Sequence, residues 1–74
     1  MRVQQRGKFR KLGLNIAYYR KQKGMSQMEL AEAVNISRTH MSRIETAECA
    51  ISLDVIFDIC DALDVTPTKL FDFR

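Results

Sequence analysis

The chain has 74 residues, 46% hydrophobic and 28% charged, with a formal net charge of +3. That length allows one small domain near the lower limit for a self-sufficient core and leaves no room for a separate sensor half. No run is apolar enough to span a bilayer, and the basic N-terminus lacks the apolar core of a signal peptide, so a cytoplasmic protein without membrane association or a small-molecule effector site is expected.

Charge divides the chain unevenly. Residues 1 to 43 hold ten Lys/Arg against Glu29 and Glu32, a net +8, whereas residues 44 to 74 hold Lys69 and Arg74 against seven acids, a net −5. Together they make the +3 of the whole. Such asymmetry within one domain points to one face turned toward a polyanion and another turned away.

Residues 1–8, MRVQQRGK, show no useful periodicity and include Gly7. They are expected to be a flexible basic arm ahead of a domain covering 9–74. Two readings of the arm stay open: a basic segment that follows a DNA backbone or enters the minor groove, or a solvated tail. The first helix is predicted over Phe9 to Lys23, with Phe9, Leu12, Ile16 and Tyr19 forming an apolar stripe. Gly13 within it costs up to about 1 kcal/mol relative to Ala. Gly24 suits the C-cap, and Lys21 and Lys23 lie in the last turn, where the helix dipole favours cations. Arg20, next to the stripe, needs a partner if it is drawn inward.

The stretch Ser26 to Thr46, SQMELAEAVNISRTHMSRIET, parses as two short amphipathic helices around a tight turn. Ser26 and Glu29 have the spacing of a capping box. Leu30, Ala31 and Val34 form an apolar face, and the small Ala31 permits a close helix crossing. Asn35 at the corner tolerates positive φ better than most side chains. Ile36 follows as an apolar plug and Ser37 as an N-cap. On the next helix Met41 and Ile44 point one way, while Arg38, Thr39, Ser42, Arg43 and Thr46 fan out on the other. Two arginines and three hydroxyls on a helix with a buried back suit the major groove, where Arg bonds guanine bidentately and Thr meets the thymine methyl. A merely solvated helix face is the bland alternative.

Helix four is predicted from Ser52 to Leu63, capped by Ser52, with Leu53, Ile56, Cys60 and Leu63 on one face and Asp54, Asp58 and Asp61 as an acid stripe. The apolar arc widens through Val55, Ile59, Ala62 and Phe57, more than one wall of a small core requires. Thr66 and Pro67 set up a short final helix, and Leu70 and Phe71 close the core beneath it, leaving Phe73 without a role in the monomer. The surplus makes Val55, Phe57, Ile59, Phe71 and Phe73 the candidate homodimer interface, with extra core filling as the alternative. A two-fold dimer would place two reading helices about 34 Å apart on one face of a duplex.

Taken together, LGxNIAxxR at the start, SQxxLAxxV, ISRTHMSRIE and the tail SLDVIFDICDALDVTPTKLF resemble the Cro/repressor-type (Xre, lambda-repressor-like) helix-turn-helix family from Leu12 to Phe71, about four-fifths of the chain. The resemblance implies an all-α, compact five-helix DNA-binding domain whose helices two and three form the helix-turn-helix, the third reading bases. It assigns base contacts to Arg38, Thr39 and Arg43, with Ser42 on the same face. It places Gln27 on a phosphate at the start of helix two; Ser37, His40 and Thr46, on the flanks of the reader, are further candidates for phosphate. It also implies a structural ion pair between Arg20 and Glu45 that joins helix one to helix three, a geometry suited to bidentate bonding. Two positions depart from the pattern. Asn35 stands where Gly is usual, and Thr46-Ala47-Glu48 stands where the family commonly has Gly and then a basic residue on phosphate, so Glu48 would oppose that contact.

Cys49 and Cys60 lie eleven apart without CxxC spacing or neighbouring His ligands, so neither a disulfide nor a metal site is expected. No nucleophile has a recognisable base, and no Gly-rich phosphate loop is present. The expectation is therefore not an enzyme and has no cofactor. It is a sequence-specific double-stranded DNA binder: a transcriptional regulator, a repressor reading a pseudo-palindromic operator, with the controller of a mobile or restriction-type operon as one form. An antitoxin or adaptor that meets another protein through helix four and the C-terminal segment is the alternative, and an interaction module that has lost DNA binding is a third.

Overall fold

A short 3-10 turn, Val3–Gln5, leads into α1 (Arg6–Gln22), α2 (Gln27–Ala33), α3 (Arg38–Glu45), α4 (Leu53–Leu63) and α5 (Pro67–Leu70). The computed structural model describes residues 1–73, and no strand occurs among them. Four of these helices begin at hydroxyl caps. The side chains of Ser26, Ser37, Ser52 and Thr66 accept from the amides of Glu29, His40, Val55 and Lys69, each cap residue being extended. A cap of this kind contributes about 1 kcal/mol. Each one also fixes where its helix starts, and that sets which residues face inward.

The first helix starts earlier than its periodicity predicts. Residues 1–8, expected to be an irregular arm, are helical from Val3 onward, and α1 begins at Arg6 instead of Phe9. Arg6, Lys8, Arg10 and Lys11 are good helix formers, and the apolar stripe that sets the sequence boundary says nothing about a solvated first turn. Gly24 closes the helix with φ 73°, and the corner between α2 and α3 falls on Asn35 at φ 59°.

The core gathers Leu12 and Ile16 of α1, Leu30 and Ala31 of α2 with Val34 after it, Met41 and Ile44 of α3, Ile56, Ile59, Cys60 and Leu63 of α4, and Leu70 of α5. Fully burying an aliphatic side chain of this size is worth about 1.5–3 kcal/mol. Two expectations for α4 are corrected here. Leu53 is 65% exposed, and Ile59, expected at a subunit interface, is wholly buried. With Leu53 as the first helical residue, the inward stripe is Ile56, Ile59, Cys60 and Leu63, the i, i+3, i+4, i+7 pattern of one helical face.

Phe73 also has a place in the monomer: it packs against the core, its ring 6.0 Å from that of Phe71. The C-terminal segment is held by Asn15, whose Nδ2 donates to the carbonyls of Leu70 at 2.9 Å and Asp72 at 3.2 Å.

Candidate nucleic-acid interface

The outward face of α3 is the centre of the site. At about 100° per residue, Arg38, Thr39, Ser42, Arg43 and Thr46 fall within an arc of roughly 140°, opposite Met41 and Ile44, with Glu45 just outside its edge beside Arg38. Met41, Ile44 and Glu45 are buried, whereas Arg38, Thr39, Arg43 and Thr46 are exposed and Ser42 is half-buried. Arg38 and Arg43 are separated by about 7.5 Å along the helix axis, close to the rise of two base pairs. His40 is half-buried on the flank, and Ser37 caps the helix. The structure thus brings all four expected base readers onto one surface.

What holds that surface is a buried polar junction. Arg20 Nε donates to Glu45 Oε2 at 2.7 Å and its Nη2 to Oε1 at 3.1 Å, while Nη1 donates to the Met25 carbonyl at 2.8 Å. Arg20 is 7% and Glu45 8% exposed. The fork of the guanidinium therefore ties α1 to the last residue of α3 and to the loop before α2 in one geometry. Gln27, expected on a phosphate, donates through Nε2 to Glu45 Oε1 at 3.0 Å. Its position is set by the same carboxylate that anchors α3, so the start of α2 and the end of α3 are joined through one side chain.

Gly13 is the residue of this junction that helix propensity alone presents only as a cost. A Cβ there would run into the carbonyl oxygen of Glu45 and meet that of Ile44 at 2.7 Å. Only glycine lets α1 cross the end of α3 this closely. A glycine kept inside a helix is itself the available signal for such an approach.

The turn after α3 differs from its sequence expectation in one respect. Ala47 is buried and sits at φ 60°, a region that costs an L-residue roughly 1–2 kcal/mol. It occupies the stretch where the resembled family favours glycine. The Thr46 hydroxyl lies 2.9 Å from the Ser42 carbonyl and 2.6 Å from Glu48 Oε2, so its one proton is already engaged within the turn.

Two groups titrate away from their ordinary values. Glu29 is held low by the Ser26 backbone amide and then by the Ser26 side chain, with Ser26 N donating to Oε1 at 2.9 Å. Its stabilisation of the α2 cap is present above the usual carboxylate range and lost as pH falls through the lowered value. Burial first, and the charge of Asp61 second, push the Cys60 thiol up. It stays protonated at neutral pH and behaves as a core residue. Cys49 packs partly against the core.

The helix-turn-helix family model HTH_3 matches residues 16–70, well over half of the chain. Over 55 residues the chain is 36% identical to the antitoxin PezA of Streptococcus pneumoniae serotype 4, covering 74% of this chain and 35% of that protein. The chain thus spans about a third of the length of that curated relative. The fold is similar to the restriction-modification controller protein C.AhdI from Aeromonas hydrophila, with a TM-score of 0.82 and 32% identity over 85% of this chain and 96% of that one. It is also similar to the clp gene regulator ClgR from Corynebacterium glutamicum, with a TM-score of 0.82 and 27% identity over 84% of this chain and 66% of that one.

Proposed function

The chain belongs to the lambda-repressor-like (Xre) helix-turn-helix family, and from that premise we propose how it acts as a DNA-binding transcriptional regulator. α3 enters the major groove. Arg38 and Arg43 contact base edges, with Thr39 and Ser42 beside them, while Gln27, Ser37 and His40 meet phosphates on either side; Thr46, expected among the phosphate contacts, has its hydroxyl proton engaged within the turn instead. The observation that carries this reading is the pairing of an exposed, cationic outer face of α3 with an inner face locked by Arg20, Glu45 and Gln27. A reader must hold its side chains in fixed register, and that junction supplies the rigidity.

The regulator acts as a repressor and as a homodimer on a pseudo-palindromic operator. The molecule measures 31 × 24 × 19 Å, so two copies side by side put their reading helices at a separation comparable with one duplex turn of about 34 Å. Val55, Phe57, Phe71 and Phe73 are the candidate interface once Ile59 is assigned to the core. Phe57 and Phe71 are exposed, and Phe71 and Phe73 line an apolar groove of about 210 Å³ with Lys8, Phe9 and Leu12. The likeness to a restriction-modification controller supports a controller of that kind of operon. No enzymatic activity is part of this reading. No helix among the described residues is long and apolar enough to cross a membrane, in keeping with a cytoplasmic regulator.

The match to PezA favours a second reading, an antitoxin whose main partner is another protein held through α4 and the C-terminal segment. One experiment separates these alternatives. Selection of bound sequences from a random duplex pool by the purified protein at about 150 mM salt is expected to enrich an inverted repeat with half-sites about one helical turn apart. A single half-site would remove the dimer. No enrichment, with a protein copurifying at stoichiometric yield, would favour the antitoxin.

A further inference from the structure

Arg6 lies seven residues before Gly13, two turns away on the same side of α1. Gly13 rests against the backbone carbonyls at the end of α3. Continuing along that side, Arg6 reaches the turn that follows α3, where it lines an open hollow of about 380 Å³ with Met1, Val3, Ala47 and Glu48. Its position is therefore fixed by the same close crossing that positions the reading helix. The residue is exposed and makes no ion pair among the described residues. The carboxylate of Glu48, its neighbour across the hollow, lies against the Thr46 hydroxyl instead.

The turn after α3 carries Glu48 and no basic residue, so a phosphate contact beside the end of that helix needs a cation from another element. We propose that Arg6 supplies it: its guanidinium binds a DNA backbone phosphate beside the reading helix, reaching across from α1 to the position that the turn leaves without a cation. The proposal rests on the DNA-binding reading above. Arginine is suited to the task because its planar fork matches phosphate oxygens and its charge persists at any working pH. Since a phosphate contact carries no base information, Arg6 contributes affinity and register but not sequence preference. The arrangement also gives the basic first turn of α1 a use that its sequence periodicity does not reveal.

The alternative use for Arg6 is to neutralise Glu48, and the test separates the two. The full chain, wild type and as Arg6→Ala, Arg6→Lys, Glu48→Gln and the Arg6→Ala/Glu48→Gln double variant, is titrated on the selected and on a random duplex between about 50 and 200 mM salt. Circular dichroism confirms that each variant is folded. Wild-type log K falls linearly with log[salt], and Arg6→Ala reduces that slope by about 0.9, with the same fold-loss on both duplexes. Arg6→Lys keeps the slope, and the loss persists when Glu48 is already neutral. An unchanged slope in Arg6→Ala, or a loss that vanishes in the Glu48→Gln background, would overturn the proposal. A wild-type protein with no salt-dependent DNA binding would instead overturn the DNA-binding reading on which it rests.

Discussion

Where α1 crosses α3, a glycine, an arginine and a glutamate do what three aliphatic side chains and a cysteine do where α4 closes the core. The first junction is short-range and directional: two backbones approach within the space of a missing Cβ, and a forked ion pair sets the angle. The second is apolar and permissive, since Ile56, Ile59, Cys60 and Leu63 bury area without demanding one partner each. This contrast separates burial from placement. The α4 side contributes stability through buried area, whereas the α1–α3 side contributes stability and also decides where α3 points.

The largest break in that contrast comes from Arg20→Met, which leaves Glu45 charged and buried. A loss of about 3–5 kcal/mol in chemical denaturation is expected. Adding Glu45→Leu should return only part of it, because the Gln27 amide and the Met25 carbonyl then lack the partners they have now. Gly13→Ala follows, with a loss of about 3 kcal/mol as the new methyl is forced against two carbonyls. Gly7→Ala on the same helix has open space around it, so the same urea titration should show a gain of up to about 1 kcal/mol. Equal effects at the two glycines would refute the close crossing.

On the apolar side Ile59→Val should cost about 1 kcal/mol in thermal unfolding and leave DNA affinity unchanged. A large fall in affinity would mean that α4 also governs the placement of α3. The smallest expected effect sharpens the comparison at the turn: Ala47→Gly relieves a positive φ and should raise stability by up to about 1 kcal/mol. A clear loss would show that the buried methyl of Ala47 outweighs its backbone strain.

Much of the reading motif is visible in the chain because it is written in local chemistry. Ser26 and Glu29 announce a helix start, Asn35 marks the corner, and the split between Met41/Ile44 and Arg38/Thr39/Arg43 follows from helical period alone. What depends on two segments meeting is harder to see. Nothing in the spacing around Gly13 says which backbone passes over it, and nothing in Asn15 says that it will hold the Leu70 and Asp72 carbonyls. The phase of α4 is hidden in the sequence for a local reason: Leu53 is as apolar as Ile59, but its place at the first helical position turns it to solvent. Gln27 shows the remaining gap, since its engagement with Glu45 requires the ion pair to be in place first.

We propose that α3, held from behind, reads bases through Arg38 and Arg43. This role is tested most directly by the affinities of Arg38→Ala and Arg43→Ala for the selected duplex and for random DNA at one salt concentration. Each substitution should weaken binding to the selected site by about 1–3 kcal/mol more than binding to random DNA, with thermal stability unchanged. Equal losses on the two duplexes would contradict base reading and reduce both arginines to backbone contacts.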